Sequence, residues 1–183
     1  SEARLRAIGC RSVRVWSEAG LSRADLAGLI EMPRSTAPGL RVLSIGNLLH
    51  LKAFDLGLRA FARFRAAGGD GTYDLMGDGP ERARLEALCD SLGVRDRVRF
   101  LGQIPRAEVL TRLRDGDVLL HPSLHDSGGW VCLEAMAAGR PVVCLDLGGP
   151  ATQVTSETGI VVPARTPEQA VTDIADALTR LAR

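Results

Sequence analysis

From Leu40 onward the chain alternates short apolar-rich runs with longer stretches of helical periodicity. The runs at 41–45, 73–76, 98–101, 118–121, 142–145 and 160–162 are short and mostly apolar, and predict strands of a parallel sheet covered on both faces. Between and after them, apolar positions three and four apart predict helices over 54–67, 80–92, 106–114, 130–138 and 167–181. Thr166 and Pro167 read as N-cap and first residue of the last helix, and Pro80 as the first residue of the second. Strands and helices alternating at these lengths specify an α/β domain, a doubly wound parallel sheet of Rossmann-like type, with its ligand crevice outside the C-terminal strand ends.

The first 38 residues follow a looser pattern. A short helical start is followed by a strand-like segment at 11–16 and an amphipathic piece at 22–30 with Ser22 as its N-cap. Pro33-Arg34-Ser35-Thr36-Ala37-Pro38-Gly39 reads as a linker. The expected division is therefore 1–38 and a folded domain at 39–183, long enough to bury a core.

Composition narrows the functional classes. A formal net charge of +1 over 183 residues makes no electrostatic case for nucleic acid or an anionic membrane. No transmembrane segment is predicted, since the chain has no run of 18 apolar residues. Cys10, Cys89, Cys132 and Cys144 lack metal-ligand spacing and a disulfide framework, and read as reduced core thiols of a cytoplasmic protein. Lys52 is the only lysine in the chain.

The candidate chemistry centres on 121–150, a strand end, polar loop, glycine-opened helix, strand and second glycine turn. Glycine loops that open helices aim backbone N–H groups and the positive helix end at phosphates. The helix after the loop is apolar almost all round and is expected to be buried, with Glu134 as its one charge. A buried carboxylate needs a partner. The pattern alone leaves two readings open. Asp126 and Glu134, eight residues apart, face a ligand and its hydroxyls, or Asp126 caps the helix and Glu134 pairs with an arginine. Lys52 stands near the N-terminus of the first helix, where a cation is unfavourable unless an anion joins it, which points to a diphosphate. Gly77-Asp78-Gly79-Pro80-Glu81 reads first as a tight turn. His121 and His125 are four apart, but Pro122 breaks any helix there, so no metal is assigned. Ser123 and His125 remain candidates for phosphate or sugar contacts, and Gly148-Gly149-Pro150 offers a second glycine turn for an anion or a hydroxyl.

Asp126, Gly129 and Leu133-Glu134-Ala135-Met136-Ala137, followed by Gly139-x-Pro141-Val142-Val143, resemble the signature of family-4 retaining glycosyltransferases of the GT-B fold. The family's usual form is Glu-x-Phe-Gly-x3-Leu-Glu, so Asp126 replaces the first Glu and Gly128 the Phe. The loop from Gly46 to Ala53 resembles the family's Gly-Arg…Lys-Gly loop, with Lys52 retained, Asn47 at the Arg position and Ala53 at the second Gly. One of two phosphate cations is therefore absent, which implies weaker diphosphate binding or an arginine supplied from elsewhere.

The resemblance implies a C-terminal, donor-binding half whose N-terminal acceptor-binding domain is not in this chain, residues 1–38 being the end of that domain and the hinge. It implies transfer of a sugar from a nucleotide-diphospho-sugar to a glycan or lipid-linked glycan, as in polysaccharide biosynthesis, with no divalent metal or other cofactor. The setting would be cytoplasmic, peripheral to the inner membrane. Asp126, Glu134 and Lys52 would be catalytic, Glu134 accepting from the ribose and Asp126 from the sugar hydroxyls. Donor contacts would come from Gly46, Asn47, Lys52, Gly77, Gly102, Gln103, Ile104, Ser123, His125, Asp126, Gly128, Gly129, Trp130, Val131 and Glu134, with the 102–104 loop lining the base through its backbone. A module that binds the nucleotide-sugar without transferring it, and a sugar-nucleotide epimerase of the same fold, share the same crevice.

Overall fold

The computed structural model describes residues 38–183, preceded by Arg6, Ala7, Gly9 and Leu21. The segments predicted at 11–16 and 22–30, and most of the linker, lie outside the described residues, as does Cys10.

Six strands form one parallel sheet: β1 Leu40–Ile45, β2 Gly71–Met76, β3 Val98–Gly102, β4 Val118–His121, β5 Val142–Leu145 and β6 Gly159–Val162, in the order β3-β2-β1-β4-β5-β6. All five pairings are parallel, with Val42 opposite Tyr73 on one side of β1 and opposite Val118 on the other. The helices are α1 Phe54–Ala66, α2 Arg82–Ser91, α3 Arg106–Asp115, α4 Trp130–Ala137, the one-turn α5 Pro150–Gln153 and α6 Pro167–Leu181.

Side chains on successive strand residues point to opposite faces, and the core divides accordingly. Val42, Leu120, Val143 and Leu145 pack with Phe61, Phe64, Leu85, Ile174 and Leu178 under α1, α2 and α6. Leu43, Leu119, Val142 and Cys144 pack with Leu113, Cys132 and Ala135 under α3 and α4. At the centre of the first face the buried Tyr73 hydroxyl meets Ser44 Oγ at 2.7 Å, and Ser44 Oγ donates to the Leu120 carbonyl at 2.5 Å. Ser44 has one hydrogen, so Tyr73 must donate to it. The network ties β1, β2 and β4 together, and burial pushes the Tyr73 phenol well above its usual pKa. It also accounts for Gly57 inside α1, where glycine costs about 1 kcal/mol, because a Cβ there would stand 2.6 Å from the Tyr73 hydroxyl.

Two predictions need correction. Pro80 is not the first residue of its helix; α2 begins at Arg82, because the Glu81 N–H is taken by the Leu48 carbonyl at 3.1 Å and holds the 79–81 turn against the loop after β1. Nor is α4 buried all round: Cys132, Glu134 and Ala135 are, whereas Trp130 is 51% exposed.

Strand order reverses between β1 and β4, so the loops following them diverge to opposite faces and leave a crevice between them. This is where doubly wound sheets bind ligands. Its walls are the loop 46–53 and the loop 122–129.

Candidate functional site

The loop after β1 is shaped by its neighbours. The Gly46 N–H donates to the Met76 carbonyl at 2.9 Å and Leu48 N–H to the Asp78 carbonyl at 2.9 Å, with the Leu48 side chain fully buried. One 3-10 turn, His50–Lys52, then delivers the chain to α1 through Ala53. Ala53 has φ 47°, and among the described residues it alone is left-handed without being glycine. An L side chain there costs about 1–2 kcal/mol, whereas glycine adopts this conformation freely. The turn aims Lys52 into the crevice, where Nζ donates to Asp126 Oδ2 at 2.6 Å.

Asp126 is saturated. Its Oδ2 takes Lys52 and His121 Nε2, the latter at 3.1 Å, and its Oδ1 accepts the N–H groups of Gly129 at 2.9 Å and Gly128 at 3.2 Å. An ionised carboxylate only accepts, so His121 carries its hydrogen on Nε2. The hydrogen bond from His121 first, then Lys52 and the Gly129 amide, hold the Asp126 carboxyl far below the usual range. The glycine turn after β5 braces this loop from behind. Gly149 N–H donates to the Asp126 carbonyl at 2.8 Å and Gln153 Nε2 to the Gly128 carbonyl at 2.7 Å. Gly148 lies so close that a Cβ would collide with the Asp126 carbonyl. Gly129, at φ 55°, turns the chain into α4.

Glu134, one turn into α4, is 8% exposed. Arg106, the first residue of α3, donates to its Oε1 from Nε at 3.0 Å and from Nη2 at 2.8 Å. Of the two readings left open, the arginine on Glu134 is present in the structure, whereas α4 has no side-chain cap: Asp126 binds the amides of Gly128 and Gly129, which precede the helix.

The other predicted residues divide. Gly77 and Gly102 bridge to each other through Gly77 N–H and the Gly102 carbonyl at 2.8 Å, joining the loops after β2 and β3. Gln103 and Asn47 are exposed, whereas Ile104 and Val131 pack partly into the core beneath α3 and α4. The Ser123 hydroxyl is engaged with the carbonyls of Leu51 at 3.3 Å and His125 at 3.1 Å. With the Leu124 N–H on the same Leu51 carbonyl at 2.9 Å, it fastens one crevice loop to the other. His125 itself is exposed. The resemblance contributed neither His121 nor Arg106 to the predicted contacts. Arg106 carried a readable signal, since a cation at the first position of a helix is the same anomaly that singled out Lys52. Pairing of His121 with Asp126 depends on how the loop folds back, and had none.

Parallel order and flanking helices define a Rossmann-like α/β domain whose structural neighbours are GT-B glycosyltransferases. The lipopolysaccharide outer core galactosyltransferase WaaB in its apo form superposes with a TM-score of 0.78 at 22% identity, over 98% of this chain and 50% of that one. Residues 35–180 match the model of the family described as "Glycosyl transferases group 1", and the chain belongs to that family. An alpha-D-kanosaminyltransferase of Streptomyces kanamyceticus is 35% identical over 142 residues, covering 76% of this chain and 36% of the relative. A lipopolysaccharide core biosynthesis glycosyltransferase, LpsD, of Rhizobium meliloti is 36% identical over 139 residues, with coverages of 75% and 36%. The chain thus spans about a third of the length of these curated relatives. Among the described residues no helix is long and apolar enough to cross a membrane.

Proposed function

We propose that this chain is the donor-binding half of a glycosyltransferase that takes a sugar from a nucleotide-diphospho-sugar and transfers it to a glycan or lipid-linked glycan. The observation that carries the reading is the ion pair across the switch point, Lys52 on the loop after β1 with Asp126 on the loop after β4 at 2.6 Å, with Glu134 one turn into the helix that Gly129 opens. Glu134 would accept from the ribose. Lys52 would turn from Asp126 to the diphosphate, joined by the positive end of α4. These charges act where negative charge grows as the sugar departs, which is where preorganised electrostatics lower a barrier. Asp126 would steady the sugar's cationic centre and, when Lys52 leaves it, meet the sugar's hydroxyls.

In the reaction proposed, the bond between the sugar's anomeric carbon and the β-phosphate oxygen breaks. The acceptor oxygen attacks from the same face, so configuration is retained, and its proton passes to the departing phosphate. No divalent ion takes part; Lys52 and backbone amides neutralise the leaving group. Residues 1–38 would lead in from an acceptor-binding domain, and the whole would work in the cytoplasm at the membrane surface. The supporting test is calorimetric titration with UDP, GDP and ADP. Saturable binding of one of them, markedly weakened in Glu134→Ala, is expected. Binding unchanged by that substitution would remove Glu134 from the ribose.

A further inference from the structure

Glu134 is the one charged residue on a helix that is otherwise apolar, and its side chain is 11% exposed. A carboxylate in that position requires a cation or several donors. Arg106 supplies both, through an unusual grip. A guanidinium fork commonly places one N–H on each carboxylate oxygen, whereas Nε and Nη2 of Arg106 both converge on Oε1. No described residue donates to Oε2. Arg106 also occupies the first position of α3, after Pro105 and without a side-chain cap. The helix dipole opposes a cation there, and the Glu134 carboxylate offsets that penalty. The pair joins α3 to α4.

We infer that Arg106 is the positioning residue for ribose recognition. By occupying Oε1 and stopping rotation of the carboxylate, it presents Oε2 as the acceptor for a ribose hydroxyl, and so sets the preference of the crevice for ribonucleotides over 2′-deoxyribonucleotides. The inference rests on the assignment of Glu134 to the ribose. Without the guanidinium, the terminal torsion of Glu134 becomes broad, and ordering it on binding opposes the hydrogen bond it makes. Lysine at the same place restores the charge as a single mobile point but not the two-donor hold. The expected order of discrimination is therefore Arg, then Lys, then Ala.

The test is calorimetry of the 183-residue chain and its Arg106→Lys, Arg106→Ala and Glu134→Ala variants, each titrated with UDP, GDP and ADP and with their 2′-deoxy counterparts. For the nucleotide that binds, the native chain should favour the ribo form by roughly tenfold, as a hydrogen bond to a charged acceptor implies. Glu134→Ala should abolish the preference, Arg106→Ala should bring it close to parity and also lower the thermal midpoint, since it leaves the buried carboxylate without its donors, and Arg106→Lys should fall between in both. If the ribo preference disappears in Glu134→Ala but survives in both Arg106 variants, the positioning role is overturned and the ribose assignment stands. If no ribonucleotide binds the native chain at millimolar concentration, or if Glu134→Ala keeps the preference, the ribose assignment falls and the role of Arg106 falls with it.

Discussion

The crevice holds two carboxylates, each engaged by a cation, and they are built for opposite purposes. Asp126 accepts from four donors on three segments, using both oxygens: Lys52, His121 and the amides of Gly128 and Gly129. Glu134 accepts from one residue on one oxygen, and that residue, Arg106, is itself 55% exposed. In the unliganded protein the first carboxylate is a structural hub, with no acceptor left over. The second is held still and keeps an oxygen for a ligand. Both face the same crevice, so charge and proximity do not separate them. Unfilled hydrogen-bonding capacity does.

Substitutions should split along that line. The largest effect on stability is expected from Asp126→Ala, which leaves the Gly128 and Gly129 amides without their acceptor and strands Lys52 and the buried His121; a loss of about 2–3 kcal/mol in denaturant unfolding is expected from the lost hydrogen bonds and the partly buried ion pair together. Equal stability of that variant and the native chain would erase the distinction drawn here. Glu134→Ala should do the reverse. It should weaken nucleotide binding roughly a hundredfold, as lost charge-assisted hydrogen bonds imply, yet shift unfolding by less than about 1 kcal/mol, because its partner stays solvated.

Ala53→Gly sharpens the phosphate side. It relieves the left-handed strain at the turn that delivers Lys52, and after glycine's extra chain entropy a gain of about 0.5–1 kcal/mol should appear in thermal unfolding.

The smaller effects concern titration. The Asp126 carboxyl is held below its ordinary value of about 3.9. A depressed carboxylate adds stability that is complete above its unfolded pKa and is lost as pH falls. Below about pH 4 the native chain should therefore lose stability more steeply than Asp126→Asn, which a pH series of denaturant melts would read. The thiols should report no difference between the two sides. Burial pushes Cys89 up to about 11 and Cys144 up to about 12, and raises Cys132 further. All three are free and buried, so native-state alkylation at pH 8 should be slow at each. Fast labelling of Cys132 would mean that α4 opens.

Much of this protein was legible in its order of residues. Consecutive apolar runs, helical periods between them, and Thr166 with Pro167 at the start of α6 are local facts, decided by sterics and solvent within a few residues. They were sufficient for a parallel, doubly wound sheet, and the glycine loops and Lys52 marked its crevice. Tertiary structure decided the rest. Glu81, 33 residues past Leu48 in the chain, gives its N–H to the Leu48 carbonyl and so moves the start of α2. Trp130 stands out in solvent although its helix is apolar. Above all, Arg106 meets Glu134 and His121 meets Asp126 only after strand order brings separate loops together. Periodicity records which face of an element is apolar; which donor reaches which oxygen depends on distances across the sheet, and no local pattern carries those.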